Sequence, residues 1–111
     1  MMMSFETVIR TVGGIEAREL DYWIAERWVR PEGSAGAWLF REVDVARIHL
    51  ILELRRDLAV DDEHLPLVLR LLDQIYDLRR RLKELSDAVE AQPAEVRDAI
   101  QRLLGGEPTA D

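Results

Sequence analysis

The chain has 111 residues, 48% of them apolar, and a formal net charge of −7. That length supports one domain with a modest core, and the negative charge repels duplex DNA unless a local basic patch overrides it. With no cysteine present, disulfides, thiolate catalysis and Cys-ligated zinc are excluded.

The charge is unevenly spread. Ten acids face eight bases up to Val60, and twelve face seven from Asp61 onward. A basic protein partner suits such a surface better than a nucleic acid. The two histidines, His49 and His64, stand apart from each other and from any HExxH pattern, so no metal or other cofactor is expected. No apolar run approaches the roughly 18–20 residues of a membrane span, and MMMSF lacks the form of a signal peptide. A cytoplasmic protein with no membrane contact is the expectation, and the extra N-terminal methionines are assigned no function.

In chain order, Glu6 to Val12 carries Phe5, Val8, Ile9 and Val12 at helical spacing, stopped by Gly13-Gly14. A second helix is predicted from Ala17 to Trp28, with Leu20, Trp23, Ile24 and Trp28 on one face. Two helices around a glycine turn give the helix-turn-helix outline. The Pro/Gly/Ser-rich loop Trp28 to Gly36 then leads into AWLF, a short extended piece in the position of a wing, with Trp38 and Phe40 on one side. A third helix is predicted from Glu42 to Leu58, burying Val43, Ile48, Ile51, Leu52, Leu54 and Leu58.

The break AVDDEH follows, with Asp61, Asp62 and Glu63 placed to cap the next helix and Pro66 in its first turn. That helix is predicted to reach about Ala91. Within it Val68, Leu71, Ile75, Leu78, Leu82, Leu85 and Val89 alternate spacings of three and four, the seam of a coiled coil about 32 Å long. A homodimer is therefore expected. Gln92-Pro93 ends the helix, Ala94 to Leu104 forms a last short amphipathic one, and Gly105-Gly106 caps it. The expected organisation is a winged-helix domain over 5–66, a dimerisation helix over 67–91, a short helix over 92–104 and a disordered tail over 105–111.

As a DNA reader the second helix is poor. It offers Glu16, Arg18, Glu19 and Asp21, three of them carboxylates, and the wing SAGA has no base. The basic run Arg79-Arg80-Arg81-Leu82-Lys83 lies at helical spacing from Asp77 and Glu84 and reads as a solvated face with intrahelical and interhelical pairs, with a phosphate or partner contact as the alternative. Trp23, Trp28 and Trp38 read as core rather than an aromatic cage. His49 is expected at a boundary and His64 in the helix start. Capping explains one or two of Asp57, Asp61, Asp62 and Glu63, which leaves either a patch for a basic partner or plain solubility. No nucleophile–base pair or phosphate loop is present, so an enzyme is not expected.

WLF followed by LELRRDLAVD and LRLLDQIYDL, together with GGIEAREL and WVRP, resembles the CbpM family of chaperone modulators, which is related to the MerR-like group. The resemblance covers roughly Phe5 to Leu85. It implies a mainly all-α fold, a MerR-like winged helix-turn-helix with a short wing strand and a long C-terminal coiled-coil helix. It implies a non-enzymatic function: binding and inhibiting the J-domain of a CbpA-like co-chaperone of the DnaJ type, and so restraining stimulation of the DnaK ATPase. The partner-binding residues it points to are Arg55, Asp57, Asp61 and Asp62, with Asp73 as a further candidate; the dimerisation residues are Val68, Leu71, Ile75, Leu78, Leu82 and Leu85. The tail helix Ala94 to Leu104 and Pro66 depart from the family pattern. The alternative reading is a MerR-like DNA-binding transcriptional regulator.

Overall fold

Five helices and one two-stranded antiparallel sheet make up the protein, as seen in a computed structural model that describes residues 2–105. The fold is mainly α, as the periodicity predicted. It divides into two compact units, the first ending at Leu69 and the second beginning at Arg70. The tail beyond Gly105, and with it the expectation of disorder there, lies outside the described residues.

The first unit starts with a strand that the sequence reading left without a role. β1, Met3–Ser4, pairs antiparallel with β2, Leu39–Phe40, in the register Met3 to Phe40 and Ser4 to Leu39. On its other side β2 bridges Glu32, with two reciprocal 2.9 Å backbone bonds between Glu32 and Leu39. The wing is the loop between them. Gly33 sits there at φ 94°, and a Cβ on it would come 2.6 Å from the Ala37 carbonyl oxygen, so only glycine fits. Side chains alternate as a strand requires: Phe40 is buried, Trp38 half-buried and Leu39 exposed.

Ser4 also caps α1, Phe5–Val12, accepting from the Thr7 N–H at 3.2 Å. α2, Ala17–Ala25, begins where Glu19 accepts from the Glu16 N–H at 3.1 Å. It ends three residues short of the predicted Trp28. Arg27 turns left-handed at φ 64°, and the N–H groups of Trp28 and Val29 reach back to the Trp23 carbonyl. Trp28 is buried all the same, edge-on to Tyr22 at 5.5 Å between ring centroids.

α3, Glu42–Arg56, is started by Asp44, which accepts from the Arg41 N–H at 2.8 Å and binds both ends of the Arg41 guanidinium at 3.2 Å. At 5% exposure Asp44 is the buried charge among the described residues. Of the apolar stripe expected on this helix, Ile48, Ile51 and Leu54 are buried and Leu52 is half-buried. Val43 (63% exposed) and Leu58 (64%) are not. Val43 lies in the first turn, away from the core face, and Leu58 falls beyond the end of the helix.

The core joins these elements through Val8, Ile15, Leu20, Trp23, Val29, Phe40, Ile48 and Ile51, with Phe5 tilted against Phe40 at 6.3 Å. Each such side chain contributes about 1.5–3 kcal/mol by leaving water. Leu65 and Leu69, from the first turns of α4, Leu65–Glu90, complete it. Pro66 occupies the second position of that helix, where its missing N–H costs nothing.

The second unit contains the rest of α4 and α5, Ala94–Leu103. Among its described residues no apolar side chain is buried. Ion pairs decorate α4: Arg80 and Arg81 both reach Asp77, and Lys83 reaches Asp87 at 3.0 Å. The basic run is thus a paired, solvated face as its spacing predicted, with Asp87 rather than Glu84 as the second acid. Arg97 of α5 pairs with Glu90 at 3.4 Å. No described helix is long and apolar enough to cross a membrane.

Candidate functional site

The acidic corner between α3 and α4 is built by the way α3 stops. The N–H groups of Asp57 and Leu58 both reach the Glu53 carbonyl, at 2.9 and 3.2 Å, and that of Val60 returns to Leu54 at 2.9 Å. Ala59 takes φ 53° to allow this. The reversal holds 57–64 on the surface as a tight loop whose four carboxylates all face solvent.

Each acid has a different position. Asp62 pairs with Arg55 at 3.3 Å, tying the end of α3 to the loop. Asp61 prepares α4: its Oδ1 accepts from the His64 N–H at 3.0 Å, its carbonyl accepts from the Leu65 N–H at 2.9 Å, and its carboxylate meets His64 Nδ1 at 2.7 Å. The side-chain hydrogen bond to His64, followed by the backbone one, holds the Asp61 carboxyl below its ordinary range. His64 therefore belongs to the helix start, as expected from the sequence. Oxygens of Asp61 and Glu63 and a nitrogen of His64 come within 4.8 Å of one another, but all three residues are exposed and the capping bond already accounts for the approach of Asp61 and His64.

Asp57 and Glu63 have no ion pair among the described residues. Asp57 stands at the C-cap of α3, where a negative charge opposes the helix dipole. Its charge therefore does not favour the helix end, although its N–H closes the last turn on Glu53. Asp73, the fifth expected residue, lies on α4 in the second unit and is exposed. Four of the five expected residues thus belong to one corner of the first unit.

The expected dimerisation residues fall in both units. Val68 is half-buried in the first, between the buried Leu65 and Leu69. Leu71, Ile75, Leu78, Leu82 and Leu85 belong to the second and are 45–64% exposed. On the helix-turn-helix, Glu16, Arg18 and Asp21 are exposed, so the outer face of α2 carries both signs of charge.

A family model described as "MerR HTH family regulatory protein" matches residues 5–87. The chain belongs to this MerR HTH family. The match spans the whole first unit from α1 onward and most of α4, so the helix-turn-helix, wing and long helix are family features, while α5 lies outside the matched region. No curated protein and no solved structure matches the chain.

One grouping in this MerR-type unit is not expected from sequence, in which Asp21 reads only as a DNA contact and Trp38 as core. Glu6, Asp21, Trp38 and Leu39 line a common depression beside the wing. Their separation along the chain hides the grouping; the wing strand pairing with β1 creates it.

Proposed function

We propose that this chain is a CbpM-type modulator: a binding protein, not an enzyme, that occupies the J-domain of a DnaJ-type co-chaperone and restrains its stimulation of the DnaK ATPase. The observation that carries this reading is the pair of exposed carboxylates without ion pairs, Asp57 and Glu63, flanking the Asp61–Asp62 loop. An acid that opposes its own helix dipole fits a surface kept for a partner. The segment that forms this corner, LELRRDLAVD, is also the one that most resembles the CbpM family. A basic J-domain helix complements it in charge, and competition for that helix explains inhibition.

Two copies associate through the exposed Leu71–Leu85 face of α4. Its heptad spacing fits a coiled-coil seam, and a second unit with no buried apolar residue among those described gains its core from a partner.

Titrating the protein into a DnaK ATPase assay stimulated by the cognate J-protein tests the reading, with inhibition at saturation as the expected result. Stimulation that persists undiminished rejects it. Asp57→Lys with Glu63→Lys should weaken inhibition while sparing both the Asp61 cap and the Arg55–Asp62 pair. The family's description as a regulatory protein is also compatible with a second reading, a DNA-binding transcriptional regulator, for which Arg18 on α2 is the exposed base. Mobility shift on its own promoter region at low salt, where phosphate-driven binding is strongest, separates the two.

A further inference from the structure

The depression beside the wing has a volume of about 490 Å³ and lies wholly within the first unit. Phe5, Trp38 and Leu39 supply its apolar surface, and Glu6 and Asp21 its charge; no base lines it. Both acids are exposed and have no ion pair among the described residues. A second shallow depression shares Phe5 and Glu6 and adds Ile9, Ala17 and Arg10, so the apolar surface continues along α1 and a base bounds it at the far end.

This combination selects against phosphate and for a cation carried on an apolar body. Two carboxylates repel a nucleic-acid backbone at the face where a winged helix-turn-helix presents its second helix and wing. A lysine or arginine placed there meets the carboxylates and the face of a half-buried indole, while its apolar neighbours cover Leu39 and Phe5. We infer that this groove is a docking site for an amphipathic basic segment of a partner protein, separate from the acidic corner at the end of α3. The inference deepens the reading of the chain as a protein-binding modulator by giving it a second contact surface.

A direct test uses the full chain, labelled with ¹⁵N, and a synthetic amphipathic peptide of lysine and leucine, with its glutamate–leucine counterpart as control. The lysine peptide should shift the amides of Glu6, Asp21 and 36–39, and the glutamate peptide should not. Glu6→Gln with Asp21→Asn should weaken binding by about tenfold, whereas Glu95→Gln with Asp98→Asn, which removes the same charge from α5, should leave it within about twofold. Unaltered spectra elsewhere in the first unit establish that the variants are folded. Equal losses in the two variants would reduce the effect to net charge and overturn the proposal, as would shifts confined to 57–64 or to α4. Because the titration involves no J-protein, it can succeed where the ATPase assay fails, and the reverse.

Discussion

Arg47 Nε donates to the carbonyl of Trp28 at 3.0 Å, linking the middle of α3 to the chain just after α2 across 19 residues of sequence. The bond is part-buried, and the residue that carries the carbonyl is buried, which limits its access to bulk water. Arg47→Ala should therefore destabilise the first unit by about 1–3 kcal/mol, the usual cost of an unsatisfied buried acceptor. Urea denaturation followed by tryptophan fluorescence would measure it, and a loss below the fit error would show that water replaces the guanidinium.

Ala59 occupies the left-handed region at φ 53°. A side chain there costs about 1–2 kcal/mol, part of which glycine returns as unfolded-state entropy. Ala59→Gly should raise stability by about 0.5–1 kcal/mol without changing partner affinity. Thermal melting and the binding assay together check both halves of that expectation.

The same residue shows why some boundaries were illegible. α2 and α3 both end through a left-handed residue that is not glycine, Arg27 in one case and Ala59 in the other. Sequence reading places helix ends at glycines, and so it ran both helices two or three residues long. Where glycines do mark the turn, at Gly13-Gly14, the boundary was right. The helix types, the wing and the capped start of α4 at Asp61 were legible because each has a local pattern. β1 was not, because two residues carry no periodicity and its pairing with Phe40 is set by tertiary structure alone. The groove was missed for the same reason, since Glu6, Asp21 and Trp38 share no local motif.

Asp61 gives the fold a defined acid sensitivity. Its folded-state pKa is lowered by His64, so its stabilising contribution is fully present above the unfolded value of about 3.9 and is lost as pH falls through the lower folded one. The melting temperature should accordingly drop in that acid window, and Asp61→Asn should flatten the dependence there. A parent and variant with parallel profiles would remove Asp61 as the cause.

Gly14 lies at φ 69°, its carbonyl accepts from the Arg56 guanidinium, and a Cβ on it would come 2.6 Å from Arg56 Nη1. Gly14→Ala should cost more in the parent than in an Arg56→Ala background, with a coupling of about 0.5–1 kcal/mol between the two sites. Additive losses in the double-mutant cycle would mean that the backbone angle alone requires glycine.

If the chain dimerises through α4 as proposed, Leu78→Glu with Leu82→Glu should give a monomer by sedimentation, since both exposed side chains lie on the heptad face. The first unit should stay folded, because its core ends at Leu69. A dimer that survives these changes would place the association elsewhere.

α4 runs unbroken from Leu65, sealed inside the first unit, to the exposed leucines of the second. Those exposed leucines are where a ligand would add stability that the second unit does not draw from a core of its own among the described residues. Any molecule that grips the leucine face only when the chain is folded raises the melting point by mass action, in proportion to the logarithm of its concentration. If two copies meet there as proposed, the thermal midpoint falls on dilution, and a dilution series of melts reads out that association without any label.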